Sequence, residues 1–545
     1  MPARLRPARW TVRARLTVPA AAAAITALTV ALTSCGSSSS GGSGAAGATG
    51  SGSARAGGIL RIAADADPGC LDPQQTGQLQ TLDVARGLVD SLTDQDPKTG
   101  AIVPWLAKSW TISPDAKQFT FVLRTGATFS DGSPVDGQAV KATFDRLSKL
   151  PPNGAPAYIK GYTGTTVTDA THVTVGFSQP NSQFLQATST TGFGILSVAT
   201  ASRPLADRCR GQYVGSGPFV LKSYTPNRGV TIARRAGYAW ASARAVNTGT
   251  AHLDEVDFTF VSEDGARTGS LSSGQAQIGE NIQPSDQDQF DGGSASLLRM
   301  SAPGLVPPLS LNHRGILADE RVRQALLKGI DRSALVSTVF NASYKPATSV
   351  LSSTTPLYVN QKDKLGFDRA GSEKLLTEAG WAPGKDGIRV KDGKSLALTW
   401  LIPAPMPPAD EAVQQQLRTI GVDVRLQAVP PAQYVSKQNA GEFDITAVGV
   451  TRADPDVLRN IFSTKGSNLW HLTPSVLDTY LEQEVTATNQ ADRQHAVTAA
   501  VTWILDHADT VPLYENAVVH GVSTKVHGLL LTASTQLDLH EAWLG

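Results

Sequence analysis

Leu396-Ala-Leu-Thr-Trp-Leu401, Glu411-Ala-Val-Gln-Gln-Gln-Leu-Arg-Thr-Ile420 and Val422-Asp-Val-Arg-Leu-Gln-Ala-Val429 follow one another with Gly421 between the last two. The first reads as a strand. The second reads as a helix that stops at the glycine, and the third as a strand with alternating apolar residues. Strand, helix, strand is a βαβ unit, the repeating element of an α/β lobe. Residues 443–450 then read as a further buried strand, and Thr451-Arg-Ala-Asp-Pro-Asp456 follows it.

Working back from this unit, helical patterns dominate after Ser301. Residues 319–330 place Val322, Ala325, Leu326 and Gly329 at helical spacing, 332–340 repeat the pattern, and 372–379 form a helix closed by Gly380. The earlier part is mixed. Residues 58–63 read as a first strand, and 81–92 as a helix running into a strand pair around Ile102. Residues 119–124 alternate with period two and turn at Thr125-Gly126, and Asp131-Gly132 signals a turn before an amphipathic helix over 140–150. Strands are expected at 173–177 and 230–233. No internal repeat of fixed period is present.

The stretch 1–56 has a different character. Arg4, Arg6, Arg9, Arg13 and Arg15 precede an apolar, small-residue run over 16–32, the pattern of a bacterial signal peptide. The run is short for a bilayer span and ends at Leu32-Thr-Ser-Cys35, which resembles the lipobox of bacterial lipoproteins; Cys35 is the expected lipidation site. An ordinary secreted protein or an uncleaved anchor are the other readings. The segment 36–56 is almost all Gly, Ser and Ala, a composition that buries too little apolar surface to order. We therefore expect a signal peptide over 1–34, a lipidated tether over 35–56 and a folded body from Gly57.

The 545 residues carry a formal net charge of +1, and the leader holds five of the arginines, so the remainder is mildly acidic. That argues against nucleic acid, whose binders need a concentrated basic face. A body of this length exceeds one usual core, so two lobes with a cleft between them are expected. Besides Cys35 the chain has only Cys70 and Cys209, which in an exported protein either pair or remain two buried thiols. Two such distant cysteines make a poor metal site, and no metal or cofactor is expected. The nine histidines are scattered, and neither a His-Glu-x-x-His pair, a placed Gly-x-Ser-x-Gly elbow nor a P-loop occurs. The expectation is a binding protein rather than an enzyme.

Pro104-Trp-Leu-Ala-Lys-Ser-Trp110, the strand over 119–124 and Gly126-Ala-Thr-Phe-Ser-Asp-Gly-Ser-Pro134 occur in that order. Gly215-Ser-Gly-Pro-Phe219 follows, with Tyr238 and Trp240, then Asn312, Val322-Arg-Gln-Ala325, Ile330-Asp-Arg332, Ala379-Gly-Trp381 and Val511-Pro-Leu-Tyr514. The ordered set resembles the bacterial extracellular solute-binding proteins of family 5, the peptide, dipeptide and nickel receptors of ABC importers. The resemblance covers the chain from Gly57 onward. It implies a two-lobed, periplasmic-binding-protein-like α/β fold with mixed sheets, flanking helices and an extra subdomain on the first lobe. We place the first lobe at 57–300, its subdomain at about 96–214, its completion at 508–545 and the second lobe at 301–507. The implied function is capture of a solute, foremost an oligopeptide or dipeptide, between closing lobes, and delivery to ABC permease subunits. The implied location is the extracytoplasmic face of the cell membrane, with a lipid anchor and a monomeric receptor. A sugar, an opine-like compound or a metal chelate is the alternative solute.

Most of these residues read as structure: Asp131-Gly132 as a turn, Arg323 and Asp331-Arg332 as helix-surface or capping charges, and Trp105 and Trp110 as packing. The candidates for ligand contact are Val448, Gly449, Thr451, Arg452 and Asp454, because the loop follows a strand of the second lobe and cleft ligands sit at strand carboxyl ends. In peptide-binding relatives this loop resembles Trp-x-x-Asp-x-x-Asp-Pro, whose first Asp holds the peptide amine. Val448 and Thr451 stand in place of that Trp and Asp. Arg452 suits an anionic group, or it pairs with Asp454 or Asp456, or faces solvent. Asp454 followed by Pro455 reads as the start of a helix through Ile461. Asp65, after the first strand, is the candidate replacement carboxylate. The segment 403–410 lacks the Arg that dipeptide receptors place there for the peptide carboxylate.

Overall fold

The computed structural model describes residues 53–151, 154–290, 293–466 and 468–545. The signal peptide, Cys35 and nearly all of the tether lie outside the described residues.

The βαβ unit forms as its pattern dictates. Strand Ala397–Pro403 lies parallel to strand Asp423–Val429 from Ala397↔Asp423 to Pro403↔Val429, with helix Pro408–Thr419 crossing between them. Gly421 sits at φ 91°, the left-handed conformation that ends the helix and that a side chain would strain. Strands Ile445–Thr446, Pro308–Leu311 and Thr510–Pro512 complete a five-stranded sheet. Trp400, fully buried on its strand, packs within an apolar cluster that runs from Leu305 to Leu513.

A second, seven-stranded sheet has the order Ala295–Ser301, Ala517–Ser523, Ile278–Gly279, Ile59–Ala64, Glu255–Phe260, Gly229–Arg234, Phe219–Thr225. The first strand of the body therefore lies near its middle, parallel to both neighbours. A third sheet is antiparallel, in the order Ala107–Ile112, Gln118–Leu123, His172–Phe177, Tyr162–Val167, covered by helix Gly137–Leu147. Asp136 caps that helix by accepting from the backbone N–H groups of Gln138 and Ala139. Phe119, Phe144, Phe177, Phe184 and Phe193 meet edge to face in its core. The chain crosses from the seven-stranded to the five-stranded sheet between Ser301 and Pro308, and returns between Pro512 and Ala517. Among the described residues, no helix is long and apolar enough to cross a membrane.

Three local expectations are corrected. The segment 443–450 is not one strand: Ile445–Thr446 joins the five-stranded sheet, whereas Val450–Thr451 pairs with Gly304–Leu305 in a separate ribbon. The chain leaves the sheet between them, at 447–449. Arg323 and Arg332 are not surface charges but are 6% and 4% exposed. Arg323 donates to the carbonyls of Leu317, Ala318 and His507, and Arg332 to those of Leu327, Ile330, Leu365 and Pro512. Carbonyls at helix ends and beside them have no partner within the helix and demand donors when buried, and a guanidinium offers five. The third concerns the start of the helix after Pro455, which begins at Val457; the Asp454 carboxylate accepts from the Asp456 N–H at 2.9 Å in the turn before it.

The glycine-rich motif is explained by close approach. A Cβ at Gly215 would lie 2.0 Å from the Leu88 carbonyl oxygen, and one at Gly217 2.5 Å from that of Gly87. Both glycines press against the segment after helix Leu79–Arg86. Asp90, buried beside them, accepts from the Tyr238 hydroxyl at 3.1 Å and the Trp240 indole at 2.8 Å, which accounts for that Tyr and Trp.

Cys70 and Cys209 form a disulfide that closes a separation of 139 residues. Constraining so long a loop in the unfolded chain stabilises a protein by about 2–4 kcal/mol. Replacing both cysteines by serine is expected to lower the unfolding free energy by that order in urea titration; a change under about 1 kcal/mol contradicts this account.

Candidate functional site

A cavity of about 2060 Å³ opens among the three sheets. The seven-stranded side contributes Asp65, Gln80, Arg267 and Asn281, and the antiparallel side Ala157, Tyr158, Lys160 and Tyr162. From the five-stranded side come Phe340, Tyr344, Pro405–Ala409, Gly449–Thr451 and Arg459. Tyr514 and Asn516 on the return crossing, with Val518 on the strand that follows it, complete the wall.

Of the residues singled out in the sequence, Asp65, Gly449 and Thr451 line this cavity, whereas Val448, Arg452 and Asp454 do not. Arg452 is 3% exposed. Its guanidinium lies 3.3 Å from the centre of the Tyr158 ring, donates to the Gln183 side-chain oxygen and approaches Asp456 at 3.4 Å. Arg459 holds the same Asp456 at 2.7 and 2.9 Å, and Arg493 bridges Asp454 at 2.7 Å and Glu484. Burial pushes the Asp454 carboxyl up, but Arg493 and Arg452 outweigh it and hold the group below its ordinary value. The Asp454 and Asp456 carboxylates thus lie among three guanidinium groups, while burial, only partly offset by Arg493, pushes the Glu484 carboxyl up to about 8. The Gln95 side chain adds a bond to the Ala453 carbonyl at 3.3 Å, and the Ser182 N–H one to that of Val485 at 2.9 Å. The network fastens the loop after Gly449 to the antiparallel side of the fold.

On the cavity side of this loop, strand Val450–Thr451 pairs along one edge with Gly304–Leu305, whose far edge is taken by a bridge from Leu305 to Leu351. The ribbon has two strands, so among the described residues the edge of Val450–Thr451 away from Gly304–Leu305 carries no partner strand, in a segment that faces the cavity. Gly304 sits at φ 106°, where a Cβ would lie 2.1 Å from the Val450 carbonyl oxygen; only glycine lets the two strands meet.

One part of the wall, and one buried carboxyl beside it, escape a reading of the sequence. Tyr158, Lys160 and Tyr162 come from the antiparallel side, far along the chain from the loop they face, and no periodicity signals such a contact. Asp410 stands in the first turn of helix Pro408–Thr419, directly after the lining residues Pro407, Pro408 and Ala409. Burial pushes its carboxyl from 3.8 to about 7. Among the described residues, no group of three or more His, Cys, Asp or Glu side chains is arranged to hold a metal ion.

A family model, Bacterial extracellular solute-binding proteins, family 5 Middle, matches residues 101–469. The chain belongs to this family. As a member, it is a binding protein and not an enzyme. The solute-binding chain is 27% identical over 489 residues to the periplasmic murein peptide-binding protein MppA of Escherichia coli K12, covering 82% of this chain and 86% of that one. In fold it is similar to NikA of Brucella suis, solved with Fe(III)-EDTA, with TM-score 0.78, 21% identity, and 90% and 100% of the two chains covered. It is also similar to AppA of Bacillus subtilis, solved with a nonapeptide, with TM-score 0.75, 20% identity and the same coverage. The mixed α/β architecture of this solute-binding protein is the periplasmic binding protein fold of those structures.

Two outcomes follow from this geometry. Replacing Arg452 by alanine strands the Gln183 oxygen and leaves Asp456 to Arg459 alone, and is expected to cost about 1–3 kcal/mol in urea unfolding; lost ligand affinity at unchanged stability would instead make Arg452 a ligand contact. The folded state binds a proton at Asp410 up to about pH 7, whereas the unfolded chain releases it near 3.8. That contribution is complete below 3.8 and fades as pH rises through 7. Asp410→Asn is therefore expected to gain stability relative to the parent as pH rises from about 4 to 8, and a pH-independent difference contradicts the shift.

Proposed function

We propose that this chain is the extracytoplasmic receptor of an ABC importer that captures peptides, of di- to oligopeptide length, and presents them to its permease. The observation that carries this reading is the unpaired edge of Val450–Thr451 on the cavity. An extended peptide can pair with such an edge through its backbone, which gives affinity without fixing sequence. The volume of about 2060 Å³ supports a ligand larger than the drug-sized molecules that fill ~300–1,000 Å³. A relative that binds murein peptides and a structural neighbour that holds a nonapeptide are in keeping with it.

The reading includes two lobes, 57–300 with a subdomain at about 96–214 and a second from 301; Thr510–Pro512 pairs in the five-stranded sheet, so the completion of the first lobe expected over 508–545 starts only after Pro512. The crossings between Ser301 and Pro308 and between Pro512 and Ala517 support it as the hinge about which the lobes close. It also includes lipidation at Cys35, with the Gly/Ser-rich segment giving the receptor reach from its anchor.

Thermal-shift screening of the chain from Gly57 to Gly545 against pooled di- to hexapeptides, oligosaccharides and metal chelates tests the substrate. A ligand at 100 times its Kd adds about 2.7 kcal/mol, and peptide pools are expected to produce that shift. A response confined to sugars or chelates would overturn the peptide assignment.

A further inference from the structure

At its seven-stranded end the cavity wall presents Asp65, and among the described residues no basic side chain is hydrogen-bonded to it or to the two buried carboxyl groups behind it. Asp65 lines the wall, half-buried, and its two oxygens accept from neutral amides, one from the Gln80 side chain at 2.7 Å and the other from that of Asn281. Each oxygen keeps a lone pair for a further donor. Behind it stand Asp83, one turn along the helix that carries Gln80, and Glu280, next to Asn281; they are 2% and 3% exposed. Asp83 accepts from the Leu537 N–H at 2.7 Å, and one carboxylate oxygen of Glu280 has no partner.

The titratable and charged groups facing this pair come from each element packed against it. They are Asp65 after strand Ile59–Ala64, Arg267 on helix Asp264–Ser272, and His520 on strand Ala517–Ser523. Arg267 is committed elsewhere, donating to the carbonyls of Val261, Ser262, Glu280 and Asn281 and to Asp264. His520 is 1% exposed with neither ring nitrogen partnered, and Val518, two residues earlier on the same strand face, lines the cavity. The imidazole is therefore turned toward the same wall. Burial holds it neutral, lowering it to about 4. Burial and the negative charge of Asp65 raise Asp83 to about 8, and burial with Asp83 and Asp65 raises Glu280 well above the usual carboxylate range.

We propose that this end of the cavity is a subsite for a cationic group of the ligand, an ammonium or guanidinium, which binds at the Asp65 carboxylate between the Gln80 and Asn281 amides. The proposal rests on the solute-receptor reading and specifies which end of the ligand enters the seven-stranded side. The positive charge comes either from a peptide's free amine or from a basic side chain. Both present the same chemistry to Asp65, and the test separates them.

Thermal shift on the chain from Gly57 to Gly545 would compare four probes: peptides with free amines but no Lys or Arg, the same peptides N-acetylated, N-acetylated peptides containing Lys or Arg, and spermidine as a non-peptide cation. At least one cationic probe is expected to shift the melting temperature, with the N-acetylated pool lacking basic residues silent. The first pool reports a terminal amine and the third a basic side chain. For the best binder, Asp65→Asn is expected to weaken affinity tenfold or more. Equal binding by the N-acetylated pool lacking basic residues, or an affinity left unchanged by Asp65→Asn, overturns the subsite while leaving the receptor reading intact. Silence from every cationic probe, with a shift from neutral sugars, overturns the subsite and the peptide assignment together. Silence from every solute class counts against the receptor reading itself.

Discussion

The cavity depends on a buried charge network that spans two sheets. Arg452 leaves the loop after the five-stranded sheet and seats its guanidinium on Tyr158 and Gln183 of the antiparallel side, while Asp454, Asp456, Glu484, Arg459 and Arg493 complete the network. Charges out of water are tolerated only when matched and hydrogen-bonded, so the loop has little freedom once these partners are in place. The positions of Gly449 and Thr451 on the cavity wall follow from that constraint. A loop free to relax would carry the edge of Val450–Thr451 with it.

Much of the fold is legible because its signals are local. The βαβ unit over 397–429 shows in strand and helix patterns that follow directly on one another, and the stops at Gly380 and Gly421 in single glycines at φ 89° and 91°. Tyr238 and Trp240 are recognisable as fold markers, and their common partner Asp90 gives the reason. The site is far less legible. A pairing of Arg452 with Asp456 can be foreseen from their spacing, but its other partners, Tyr158 and Gln183, belong to a distant part of the sequence. Burial of Arg323 and Arg332 escapes notice for the same reason, since both satisfy buried carbonyls that a helical periodicity cannot reveal. The strand expected over 443–450 fails because nothing in Phe443-Asp-Ile-Thr-Ala-Val448 announces where the chain leaves its sheet.

The family markers and the ligand wall are almost separate sets of residues. The segment Gly215–Pro218, Asp90, Tyr238 and Trp240 secure one core by close backbone approach and by indole and phenol donors to a buried carboxylate. The wall is built from residues with side chains of diverse chemistry on loops and strand ends. Such a division lets solute preference change without disturbing the packing beneath it, because the packing does not depend on what fills the cavity.

Strand Ala517–Ser523 lies inside the seven-stranded sheet, between Ala295–Ser301 and Ile278–Gly279, although the whole five-stranded sheet precedes it in the chain. Its pairing with Ile278–Gly279 therefore closes a very long loop. The sheet that begins at Ile59 cannot be completed until the chain has been made as far as Ser523, whereas the five-stranded sheet has its βαβ unit in hand long before. The sheet that starts first finishes last, so a chain crossing a membrane from its N-terminus reaches the far side before its most non-local pairing can form.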